Sequence, residues 1–199
     1  MNPLDLFKKT EFLLPGMDIF AHGLWAGAAY KVVNLTKMKP LKVWRAVGWG
    51  IAPDIFAFGP AFIWLVLSLA AGNLSLADWP QPEKIEPLGH ENWPIFQLAS
   101  ALYNISHSLA IFLLAAGLVA FFVKKIPWEM GGWLLHILID IPTHSYKFYP
   151  TPFLWPFSEW KFDGWSWGNF AFMIVNYSLL AIIYLWIWIK KRKKSANLC

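Results

Sequence analysis

His136 and Asp140 stand four residues apart in the run Leu135-His136-Ile137-Leu138-Ile139-Asp140-Ile141-Pro142-Thr143-His144, which is otherwise apolar enough to lie in lipid. Ionisable side chains at membrane depth are expensive and mark function when they are retained. On a helix this spacing puts an imidazole and a carboxylate on one face, where both can grip one ion. His144 follows four residues later, just past Pro142.

The same chemistry recurs along the chain. Asp18 and His22 form a second i,i+4 pair, Asp54 follows Pro53, and His107 lies between two serines. Tyr103 and Asn104 precede His107 by four and three residues, so on a helix they share its face and are expected to orient its ring. Counted at 1.5 Å per helical residue, Asp54 and His136 lie roughly 17–18 Å from the nearest flanking lysines, and His107 roughly 25 Å. Unpaired, each such charge costs several kcal/mol in lipid, on the order set by burying a lone ion. One divalent cation offsets several of them at once. Imidazole and carboxylate without thiolate suit zinc, or an ion of similar taste such as manganese, iron or nickel. The set exceeds the four ligands one zinc usually takes, so one or two ions are expected, and a pair favours displacement at phosphorus.

The elements that must position these groups belong to a membrane protein. The 199 residues are 57% hydrophobic and 15% charged, against about 45–50% and about 25% in soluble domains. Fourteen Trp and six Tyr suit the level where lipid meets water. The single cysteine, Cys199, excludes an internal disulfide or a thiolate cluster. A net charge of +5 raises nucleic acid as a partner, but the basic residues cluster at the ends of apolar segments, so none is expected.

The pattern predicts an all-α polytopic helix bundle, one domain over residues 1–199, with about five transmembrane segments: Met17–Val33, Leu41–Gly72 interrupted at Pro53-Asp54, Pro94–Val123, Pro127–Ile141 and Asn169–Ile189. Residues 3–14 suggest an amphipathic helix within an interfacial segment 1–16, and no cleavable signal peptide is expected. The basic groups around 31–45, at 124–125 and at 190–194 are expected on the cytoplasmic side, with the acidic connection 73–93 outside and a basic cytoplasmic tail over 190–199. Residues 146–168 form an aromatic connector with three prolines, read either as an interfacial anchor or as a lid whose Lys147 and Lys161 meet a phosphate. His90, in the acidic connection, is given no role.

Met17-Asp18-Ile19-Phe20-Ala21-His22, Ala52-Pro53-Asp54, Ser106-His107-Ser108-Leu109, His136-x-x-x-Asp140 with Thr143, and Leu154-Trp155-Pro156 occur in that order over residues 17–162. This resembles the bacterial inner-membrane metal-dependent hydrolases, the LexA-binding hydrolase-like family. More distantly it is similar to the zinc-dependent phospholipase C and single-strand nuclease superfamily. The resemblance implies metal ligation by His22, Asp54, His107, His136, Asp140 and His144, and a metal-activated water as nucleophile, with Asp18 and Asp54 as catalytic carboxylates. Tyr103, Asn104 and Thr143 would support the ligands. The chain departs from the family's pattern at Ala21, Phe56, Leu102, Tyr103 and His144.

The function expected is hydrolysis of a phosphoester, such as a phospholipid or lipid-linked phosphate, in the inner membrane. Membrane lipids are the expected surroundings, and a homo-oligomer is open to such a chain. The alternative is a divalent-cation or proton transporter with a His/Asp relay. A haem protein is disfavoured, because haem needs no carboxylate at iron.

Overall fold

A computed structural model describes residues 17–75, 93–146 and 149–196, without the side chains of 17, 18, 195 and 196. Segment 1–16, His90 and Lys147 lie outside the described residues, as does the side chain of Asp18. The rest is all-helical: α1 (Met17–Asn34), α2 (Val43–Ala70), α3 (Pro94–Ser106), α4 (Leu109–Val123), a 3-10 turn at Trp128–Met130, α5 (Gly131–Thr143) and α6 (Phe170–Ala196).

By length and apolarity α2 and α6 are each sufficient to cross a membrane, and α3 with α4 make a third span if the bent pair counts as one. Five full crossings are therefore more than the described helices carry. Thirteen residues in α5 reach about 20 Å, short of a ~30 Å hydrocarbon core. Large apolar side chains crowd the outside, among them Ile63, Leu67, Leu114, Phe121, Phe122 and Ile182, each more than half exposed. An apolar exterior of this extent suits lipid rather than water.

α2 is the hub, packing against α1, α3 and α5, while α6 leans on α1. Small residues let the helices come this close, as membrane helices require. Ala26, Ala46, Ala57 and Ala61 are buried at these seams. A methyl group at Gly132 of α5 would collide with the Ala46 carbonyl of α2. One at Gly50 would meet Ala26 Cβ at 2.8 Å.

Two of the expected segments behave differently. The interruption expected at Pro53 is absent, because α2 runs continuously through both Pro53 and Pro60. Membrane helices tolerate proline where neighbours satisfy the freed backbone groups. The break falls instead in the third segment, between α3 and α4, which meet at 63°. Backbone groups freed there find partners on other elements. The Ser106 carbonyl accepts from Trp133 Nε1 at 2.6 Å, and the Leu109 amide donates to the Phe153 carbonyl at 3.0 Å. Ser108 caps α4, accepting from the Ile111 amide, and its hydroxyl donates to the Trp155 carbonyl. The straight-helix depth of His107 therefore does not apply.

The ends shift too. Pro142 lies inside the last turn of α5 rather than after it, and α6 extends into the basic tail. The connector folds back on the end of α5. The amides of Gly164, Trp165 and Trp167 donate to the carbonyls of His144, Pro142 and Thr143 at 2.7, 2.9 and 2.9 Å.

Candidate metal centre

Five buried side chains from α1, α2, the α3–α4 break and α5 close on one another. His107 is fully buried, and His136 and Asp140 are each 1% exposed. Asp140 is the centre. Its Oδ1 lies 2.9 Å from His22 Nε2, and its Oδ2 lies 3.2 Å from His107 Nε2 and 3.1 Å from His136 Nε2. Asp54 Oδ1 approaches the same two nitrogens at 3.4 and 3.5 Å. His22, His136 and Asp140 make one group able to hold a metal ion, and Asp54, His107 and His136 a second.

The tautomers follow from the backbone. His136 Nδ1 lies 2.7 Å from the Gly50 carbonyl, an obligate acceptor, so Nδ1 carries the proton. His107 Nδ1 faces the Ser106 hydroxyl at 2.8 Å and the Tyr103 carbonyl at 3.2 Å, and Ser106 Oγ donates to that same carbonyl. Nδ1 of His107 is then the donor as well. When neutral, each ring so held turns a bare Nε2 lone pair inward, and the two nitrogens are 3.0 Å apart. Facing lone pairs repel unless a proton or a cation lies between them. A backbone carbonyl on the outer ring nitrogen is also how metal-ligating histidines are ordinarily held.

The carboxylates point the same way. Asp54 Oδ2 and both oxygens of Asp140 are buried without a well-aimed hydrogen bond, although Asp140 has nitrogens within 3.2 Å. The Asp140 oxygens are near the imidazole nitrogens without meeting hydrogen-bond geometry. Ligands of a tetrahedral zinc, bonded at about 2.0–2.1 Å, stand about 3.3 Å apart. The separations here run from 2.9 to 3.5 Å. The donor set and its spacing fit a metal ion.

The other expected residues divide. His144 is buried beside Asp140, with Nδ1 3.2 Å from its carbonyl and 3.6 Å from Oδ1, outside both groups of three. Tyr103 supports His107, but by its carbonyl and by its ring, stacked at 3.7 Å between centroids, while its hydroxyl donates to the Tyr149 carbonyl. Burial pushes the Tyr149 hydroxyl's own pKa up against the pull of Ser100. Asn104 is half-buried, and its side chain makes no hydrogen bond among the described residues. Thr143 does not reach the cluster by a hydrogen bond, because its hydroxyl donates to the Ile139 carbonyl one turn back. Lys161 is half-buried in the connector, where its carbonyl accepts from the Tyr146 hydroxyl. Gly50 and Ser106 were not anticipated. Ser106 was visible beside His107, whereas nothing in the sequence marks the Gly50 carbonyl as the partner of a histidine 86 residues away.

No protein-family model, curated protein or solved structure matches the chain. What defines it is therefore the site: a helical membrane-type protein with a buried His/Asp cluster able to hold a metal ion.

Proposed function

We propose that the chain is a membrane-embedded metal-dependent hydrolase of phosphoesters. The observation that carries this reading is the closure of His22, Asp54, His107, His136 and Asp140 to 2.9–3.5 Å inside an apolar bundle. His107, His136, Asp54 and Asp140 would hold the ion, and His22 would add a nitrogen on the Oδ1 side of Asp140. The chemistry a zinc-class ion supplies is to acidify a water toward neutral pH and to neutralise charge at phosphorus. Asp54 would accept a proton there through its Oδ2, which is buried and, like both oxygens of Asp140, has no hydrogen bond. The connector, laid over the end of α5 by its three backbone bonds, excludes bulk water. A lipid-borne phosphate reaches such a site sideways from the bilayer. The resemblance to the inner-membrane metal-dependent hydrolases supports the same chemistry and an inner-membrane location, and the basic C-terminus is read as cytoplasmic from its charge.

Metal analysis of detergent-purified protein is the first test. One or two zinc-class ions per chain are expected, lost in His136→Ala. No ion above trace would end the proposal.

A second reading is a divalent-cation or proton transporter. The observation in its favour is the helix broken at His107, since discontinuous helices line many transport sites. Proteoliposomes separate the two. Phosphate release from a lipid phosphoester favours the hydrolase, while metal flux abolished in Asp54→Asn favours transport.

A further inference from the structure

Three basic stretches far apart in the chain meet at one end of the bundle. Lys37, in the α1–α2 connection, lies over the Trp128 ring ahead of α5, 5.5 Å from its centroid. Lys194, near the end of α6, donates to the Leu35 carbonyl at 3.3 Å. Glu129 accepts from the Lys42 amide at 3.4 Å, which brings the stretch after α4 to the same place. The chain has 17 Lys and Arg. Setting aside Lys8, Lys9, Lys84, Lys147 and Lys161 leaves twelve, all at this end, and Glu129 is the acid among them in the described residues.

These cations are not simply solvated. Arg45 lies 5.3 Å from the Trp44 centroid and Arg192 4.0 Å from that of Trp188. Trp44, Trp128 and Trp188 are themselves 70%, 57% and 50% exposed. An exposed indole with a cation on its face suits the headgroup level, where the ring meets acyl chain and the cation meets phosphate.

We infer that this end of the bundle is a docking surface for anionic phospholipid headgroups. A zwitterionic headgroup presents the same phosphate but cancels its charge with an ammonium. Each basic side chain near an anionic surface strengthens the attraction by about fivefold. The inference rests on the arrangement of this basic end and is independent of the metal chemistry.

The test uses the full chain in detergent, titrated with phosphatidylglycerol or phosphatidylcholine in mixed micelles, with Tm read at each ratio. Phosphatidylglycerol is expected to raise Tm above phosphatidylcholine at equal mole fraction. That difference is expected to shrink in molar salt, where charges are screened within about 3 Å. The quadruple variant K37Q, R45Q, K190Q and R192Q is expected to lose most of the difference, and K161Q, in the connector, to keep it. Equal shifts from the two lipids, or a difference indifferent to salt, would overturn the inference even if the quadruple variant failed to fold. So would the same rise from inorganic phosphate or a soluble polyanion such as heparin.

Discussion

Asp140 is the side chain on which the cluster turns, because its two oxygens face different histidines. Asp140→Asn keeps the shape but removes the charge and turns an N–H toward imidazole lone pairs. Metal content is expected to fall to trace by elemental analysis while helical content stays as in the wild type. Full metal content in this variant would remove Asp140 from the site. Ser106→Ala is milder. The His107 Nδ1–H keeps the Tyr103 carbonyl but loses the hydroxyl. A partner of this kind is worth about 10–100-fold in metal affinity. A competition titration against a chelating dye should give a loss near the lower end of that range, and an unchanged affinity would show that the carbonyl alone sets the ring.

At the scale of the helices, glycine at the α2–α5 seam decides whether the ligands meet. Gly132→Ala drives a methyl group into the Ala46 carbonyl and pushes α5 off α2. It is expected to cost about 1–3 kcal/mol in an unfolding titration, typical of overpacking. It should also weaken metal binding, because His136 leaves the Gly50 carbonyl. Gly117→Ala on α4 is the control, with nothing within 4 Å of the added carbon. Its stability should stay within about 1 kcal/mol of wild type, given the helix preference of alanine. Similar costs for the two variants would mean that the seam is not tightly packed.

Across the molecule, an ion bound to four elements would link their folding. It would stabilise the folded state by about 2.7 kcal/mol at a hundred times its Kd. Chelation of the purified protein is expected to lower Tm, and zinc or another ion of its class to restore it. A Tm indifferent to chelator, in a preparation shown to lose its metal, would leave the cluster without a structural role. The basic end is a second whole-molecule feature, since its charges come from three stretches joined only by tertiary contacts.

The sequence by itself determined the solvent and the ligand types. Its apolar excess and its aromatic content required lipid, and polar groups in apolar runs required mutual compensation. The i,i+4 spacing of His136 and Asp140 determined that they share a face. The stop of α5 near Pro142 was legible, because proline and the loss of apolar periodicity act locally. Tertiary structure decided the rest. Pro53 should have broken α2 and did not, while the helix breaks at His107 because Trp133 and Phe153, distant in sequence, satisfy the freed backbone groups there. Which nitrogen of His136 faces the cluster depends on the carbonyl of Gly50, and that contact exists because Gly132 lets two backbones touch. Local spacing can place two ligands on one helix. Bringing five together, each within 3.5 Å of at least one other, requires helices to pack at a distance that their smallest residues set.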